Sequence, residues 1–185
     1  MTTAAVGAHI TPWTDEEFLA IGETPDRIEL FDGSLHVTAA PTPLHQYISG
    51  GLISALRPAA RRAGLFAHEA INLRLQPGRI PIPDLAITEP IDFTELVIDA
   101  AAVRLVCEIT SPSDATTDRV LKMHYYARAG IPWYLIIDHR TGTLHLHELV
   151  DGTYVERSVT EPGQHLHVTD PVEATLSPDE LLPPR

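Results

Sequence analysis

The chain has 185 residues and a mass of 20.3 kDa, enough for one domain (1–185) with a single continuous core. Acidic residues number 25 against 13 basic ones, a formal charge of −12, which argues against broad, nonspecific polyanion binding; of those 13, Lys122 alone is lysine and twelve are arginine. The single Cys107 excludes an intramolecular disulfide and a cysteine-built zinc site, and no run approaches the roughly 18 apolar residues of a membrane span, so the expected address is the cytoplasm, without a membrane partner or export leader.

Thr14 and Glu17 form a capping box ahead of Phe18, Leu19 and Ile21, predicting a first helix that ends near Gly22. Arg27 to Thr38 reads as a hairpin turning at Asp32-Gly33. From Pro43 to about Ala63, Leu44, Ile48, Leu52, Ile53, Leu56 and Ala60 recur at helical spacing, so a long amphipathic helix is expected despite Gly50-Gly51, with Gly64 closing it. Phe66 to Leu75, Ile80 to Thr88 and the apolar run Arg104 to Thr110 read as three strands at the centre of a sheet. Ser111-Pro112-Ser113-Asp114 supplies helix-starting chemistry for a helix to about Ala129, stopped by Gly130, and Trp133 to Asp138 is again a buried strand. Thr143 to Leu149 and Thr153 to Val159 form a hairpin turning at Asp151-Gly152, and Ser177 with Glu180 caps a last helical turn. The expected architecture is a mixed α/β sheet.

Two carboxylates interrupt runs otherwise fit for the core: Asp84 in Ile80 to Ile87, and Glu108 in Leu105 to Ile109. Burying such a charge without a partner costs several kcal/mol. Each could sit at a wet strand end or pair with an arginine such as Arg74 or Arg104, but a shared metal accounts for both at once. Two carboxylates and a main-chain carbonyl, that of Ile109, offer the hard oxygen ligands that suit Mg²⁺ or Mn²⁺. Asp118, Lys122 and Tyr126 share one helix face at i, i+4 and i+8, so Lys122 is either half of an ordinary Asp-to-Lys pair or the compact ammonium that serves this site.

Pro83-Asp84, then Glu108-Ile109-Thr110-Ser111-Pro112-Ser113, then Asp118, Lys122, Tyr126, Ala129-Gly130 and Tyr134 to Asp138, in that order, resemble the Uma-type putative restriction endonuclease family. That family, formerly a domain of unknown function, belongs to the PD-(D/E)XK nuclease superfamily. The likeness takes in Glu29-Leu30-Phe31-Asp32-Gly33 and Pro41 to Gln46, and spans about residues 14 to 160. In the superfamily pattern a lysine follows the strand glutamate by two residues; Thr110 stands there, and the matching lysine is Lys122 on the following helix. Leu135 stands where the family often has an aromatic residue.

The resemblance implies a restriction-endonuclease-like fold, a mixed central sheet flanked by helices, to which this chain adds a C-terminal β-hairpin. It implies metal-dependent hydrolysis of nucleic-acid phosphodiesters, DNA foremost, with Asp84 and Glu108 holding Mg²⁺ or Mn²⁺ and Lys122 assisting the attacking water. Glu29 would be the fourth catalytic member, unless a salt bridge to Arg27 or Arg74 claims it. The competing reading is a non-catalytic module of the same fold that binds nucleic acid or a protein; a sugar hydrolase has no support from a sugar platform. Among the remaining signals, His45 is expected to touch substrate or be satisfied by a carboxylate, and Tyr126 to pack. The pairs His145/His147 and His165/His167 are expected to face solvent, and Cys107 to be an inert buried thiol. Arg57, Arg61 and Arg62 end the long helix as either a phosphate-facing patch or a solvated terminus. The exposed hairpin near Thr143 to Val159 offers an edge for a homodimer.

Overall fold

In a computed structural model describing residues 11–22, 24, 26–110 and 116–184 (backbone only at 116–119), the Thr14 capping box is formed and opens helix α1, Asp15–Leu19. The hairpin follows as β1, Arg27–Phe31, and β2, Ser34–Thr38, with Asp32 and Gly33 both at positive φ, as a two-residue turn of this hand requires. Gly33 is also a packing position, because a Cβ there would lie 2.5 Å from that of Pro12. The long helix α2 runs Pro43–Arg62 with Thr42 as its cap. Gly51 within it is explained by contact: α4, Pro178–Leu181, crosses there, and a Cβ would meet the Leu181 side chain at 3.0 Å.

Two of the three strands expected at the sheet centre are broken. Ala70 turns at positive φ and splits the first into β3, Phe66–Glu69, and β4, Leu73–Arg74. Pro81 and Pro83, which have no N–H for a ladder, split the second into β5, Arg79–Ile80, and β6, Leu85–Thr88. The short β7, Ile98–Asp99, pairs with β4, and a 3₁₀ turn leads into β8, Val103–Thr110. Helix α3, Thr116–Arg128, crosses to β9, Trp133–Asp138, which lies parallel to β8, with Leu105 opposite Trp133 and Thr110 opposite Asp138. The Ser111 to Asp114 start expected for α3 lies outside the described residues, as does the side chain of Asp118.

The C-terminal hairpin is β10, Leu144–Val150, with β11, Thr153–Thr160. A further pair, β12, Leu166–Val168, and β13, Ala174–Leu176, was not legible in the sequence. Ser177 does occupy the N-cap of α4, but its side chain makes no capping hydrogen bond. The main sheet has the order β11-β10-β9-β8-β6-β3, so its centre is the parallel β8-β9 pair and β3 is an edge; β2-β1-β5 form a smaller sheet beside it. No helix among the described residues is long and apolar enough to cross a membrane.

The two faces of β8 decide where the chemistry sits. Leu105, Cys107 and Ile109 point into the cluster that α2 covers, with Leu52 and Leu56. Val106 points the other way, into the cluster of Tyr126, Ile131, Tyr134 and Ile136 beneath α3, and Glu108 shares that face.

Candidate functional site

Four chain segments meet at the C-terminal end of β8, and each brings one of the four residues singled out in the sequence. β1 carries Glu29, the Pro81–Pro83 break delivers Asp84 at the head of β6, β8 carries Glu108, and α3 carries Lys122. Glu29, Asp84 and Glu108 are 4%, 6% and 6% exposed, so three carboxylates are buried within one region and must be paid for by donors. Lys122 Nζ lies 3.3 Å from Glu29 Oε1 and 3.4 Å from Glu108 Oε1. Glu29 Oε1 also accepts from the N–H of Ile82 at 2.8 Å, and Glu108 Oε1 accepts from the Tyr126 hydroxyl at 2.7 Å.

Asp84 is held differently. Its Oδ1 takes Arg27 Nη1 at 2.9 Å; its Oδ2 takes the N–H of Ile109 at 2.8 Å and lies 3.2 Å from His45 Nε2. Arg27 also donates through Nη2 to the Ile82 carbonyl, clamping the proline segment from which Asp84 projects. The bond from Ile109, the residue next to Glu108, ties the two suspected metal ligands together through the backbone.

These surroundings push the two carboxylates apart in acidity. Burial raises the Glu108 pKa to about 7, and the charges of Asp84 and Glu29 add to the effect against the opposing pull of Lys122 and Arg27. Burial acts the same way on Asp84, but the His45 hydrogen bond, the Arg27 charge and the Ile109 N–H together outweigh it and hold that group at about 2. Tyr126 is driven well above the ordinary phenol value by its burial and by Glu108, so it remains a donor at any working pH. The Cys107 thiol is likewise pushed well up by complete burial, which agrees with its reading as an inert packing residue.

Arg74 and Arg104, weighed as alternative partners for the buried acids, pair elsewhere. Arg74 binds Asp15 at 2.8 Å and Asp99 at 3.4 Å, and Arg104 binds Glu89 at 2.8 Å. Arg27, one of the two arginines weighed as a partner for Glu29, pairs with Asp84 instead, while Lys122 and the Ile82 N–H reach Glu29 Oε1. Removing one partner of a buried ion pair costs about 3–5 kcal/mol. Arg27→Ala is therefore expected to lower the unfolding free energy by about 3 kcal/mol, the low end because His45 and Ile109 still hold Asp84. A loss below about 1 kcal/mol in urea denaturation would contradict the pairing.

Tyr126, read as packing, is buried in the apolar cluster and also bonded to Glu108. A second contact was missed altogether: the Tyr125 hydroxyl donates to Asp32 Oδ2 at 2.6 Å, and Arg79, paired with Asp32, lies 3.5 Å over the Tyr125 ring. It fastens α3 to the β1-β2 turn, so the helix that carries Lys122 is held to β1-β2 through Tyr125 and to Glu108 through Tyr126. The only signal for it was Asp32-Gly33, whose turn role hid its side chain. His147 is also not solvent-facing but 7% exposed, with Nε2 3.7 Å from Glu156, whereas His165 and His167 are exposed as expected.

Among the described residues no group of three or more His, Cys, Asp or Glu side chains is placed to hold a metal ion. Two buried carboxylates, with the Glu108 pKa raised first by burial and further by the charges of Asp84 and Glu29, do fit a hard, largely hydrated cation of the Mg²⁺ class, which takes one or two carboxylates and keeps several waters.

A protein-family model described as "Uma2: Putative restriction endonuclease" matches residues 15–182. Among solved structures, the chain is similar to the crystal structure of a putative nuclease belonging to DUF820 from Anabaena variabilis, with a TM-score of 0.74 and 19% identity, over 92% of this chain and 97% of that one. At that identity the likeness establishes the fold. No curated protein matches.

Proposed function

This chain belongs to the Uma2 putative restriction endonuclease family, and we propose that it hydrolyses phosphodiester bonds of nucleic acid, DNA foremost, with Mg²⁺ or Mn²⁺. The observation that carries the reading is the convergence of Lys122 on Glu108 and Glu29 beside an Asp84 bonded to the Ile109 N–H. Asp84 and Glu108 would hold the ion, with the Ile109 carbonyl as a third oxygen. When bound, the ion supplies Lewis acidity toward the phosphoryl oxygens and offsets their charge.

The remaining steps belong to side chains. Lys122, presented by α3 between two carboxylates, donates to the attacking water or to a phosphoryl oxygen as charge develops there. Glu29, 3.3 Å from Nζ, keeps that ammonium aimed. Tyr126 fixes Glu108 through Oε1, so the carboxylate is oriented before any ligand arrives. Displacement of Arg27 or His45 from Asp84 would accompany ion binding, since both Asp84 oxygens already accept donors.

That same saturation favours one second reading, a non-catalytic module in which Arg27 permanently replaces the ion. Incubating the purified protein with end-labelled single-stranded and duplex DNA separates the two. Catalysis predicts products with Mg²⁺ or Mn²⁺ and none with chelator; intact strands under every ion would overturn it in favour of the module.

A further inference from the structure

The residues His45, Ser49, Ile53, Arg57 and Arg61 follow one another every fourth position along α2 and so form a single ridge of that helix. Its first member touches Asp84, its second donates to Glu69 Oε1 at 3.2 Å on the edge strand β3, and its last two line a cleft of about 560 Å³. At 1.5 Å per residue, Arg57 and Arg61 stand roughly 18 and 24 Å along the helix from His45.

The far wall of that cleft is aromatic. Phe66 and His68 on β3 and Phe93 on the loop between β6 and β7 form a three-ring cluster, Phe66 edge-on to Phe93 at 5.2 Å and His68 tilted to Phe93 at 5.6 Å. Phe93 is 67% exposed. Arg61 has no ion pair or hydrogen bond among the described residues, and Arg57 only a distant one, 3.9 Å from Glu69. Favourable interaction with the helix C-terminus accounts for the arginines alone; it does not account for an exposed Phe93 packed beside them against the half-buried Phe66 and His68. On a chain of net charge −12, a cleft combining the exposed Phe93 ring and the half-buried Phe66 and His68 rings with Arg61 and the weakly paired Arg57 is complementary to a strand that offers both bases and phosphates.

We infer that Arg57 and Arg61, with the Phe66, His68 and Phe93 rings, form a subsite for an unpaired stretch of the substrate strand, bases on the rings and phosphates on the arginines. It rests on the nuclease reading and deepens it: bases already stacked in a blunt duplex cannot occupy a ring platform, so the substrate carries a single-stranded segment, a flap or an overhang. The α2 ridge then leads that strand toward Asp84.

Fluorescence anisotropy in chelator, where no cleavage occurs, tests it with labelled single-stranded DNA, single-stranded RNA of the same sequence, and blunt duplex DNA. The wild-type protein should prefer a single strand, and the tighter of the two names the sugar. Phe93→Ala should weaken single-strand binding about tenfold and Phe93→Tyr restore it, with duplex affinity unchanged. Arg61→Ala should lower the salt slope of single-strand binding by about one. The inference is overturned if Phe93→Ala and Arg61→Ala both bind single strands as the wild type does, or if the wild type prefers duplex. A protein that binds in this pattern yet cleaves nothing with either ion would retain the subsite and lose the catalytic reading. One that cleaves normally while neither Phe93→Ala nor Arg61→Ala changes single-strand binding would do the reverse.

Discussion

Lys122→Ala is expected to reduce metal-dependent cleavage by about 10²–10³-fold in single-turnover rate, the range seen when one donor aimed at developing charge is removed. The geometry gives two reasons. Lys122 is the cation that reaches both Glu29 and Glu108, so its loss removes the group aimed at water or phosphate. It also removes the main influence holding the Glu108 pKa down, since burial, Asp84 and Glu29 all act upward on a group already at about 7. In the variant Glu108 would therefore carry a proton at neutral pH and be a poor ligand for a divalent ion. Raising the ion concentration should recover part of the rate, because the second defect is competition between proton and metal. Lys122→Arg should not rescue: the planar guanidinium is larger and spreads its charge, and it cannot occupy the place of a compact ammonium between two carboxylates. A rate within twofold of wild type for Lys122→Ala, by gel assay of labelled DNA, would remove Lys122 from the machinery.

Glu108→Gln should have opposite effects on activity and on stability. Without bound metal, folded Glu108 keeps its proton up to about pH 7, whereas the unfolded chain releases it near 4.5. The folded state then binds the extra proton, so stability present at low pH is lost as pH rises from 4.5 toward 7. Asp84 runs the other way: its folded pKa of about 2 lies below the ordinary 3.8, and its contribution is lost as pH falls through that interval. Glutamine at 108 removes the first effect and leaves the second. Metal-free Glu108→Gln should thus be more stable than wild type at pH 8, by on the order of 3 kcal/mol at most, and equal to it near pH 4.5. Urea denaturation at the two pH values measures the difference. A variant less stable than wild type at pH 8 would mean that Glu108 is held as a satisfied anion, and its proposed call for a metal would lose its physical basis.

The residues proposed as catalytic stood out in the sequence because they are exceptions to their surroundings. Asp84 and Glu108 each break an apolar run, and Lys122 is the single lysine among thirteen basic residues; the structure brings Lys122 to Glu108 across 14 residues and to Glu29 across 93. What stayed hidden were partners set by tertiary geometry. The Arg27 to Asp84 pair spans 57 residues and depends on Pro81 and Pro83 breaking a run whose apolar pattern reads as one continuous strand. Tyr126 looks like core because it is core, and its hydroxyl is assigned only once Glu108 is seen facing it. The ring cleft joins Phe66 on β3 to Phe93 on a loop after β6 that has no periodic pattern, so composition could mark Arg57 and Arg61 but not the rings beside them. The strands β12 and β13, three residues each, are too short for alternation to register.

The central claim is that Asp84 and Glu108 together hold one divalent ion. Calorimetric titration of the metal-free protein with Mn²⁺ at pH 7.5 tests it without reference to substrate. One saturable site is predicted for the wild type, lost in Asp84→Ala and in Glu108→Gln and retained in Phe93→Ala, with protons released on binding as Glu108 ionises. Mn²⁺ binding of equal affinity in the wild type and in both carboxylate variants would contradict it.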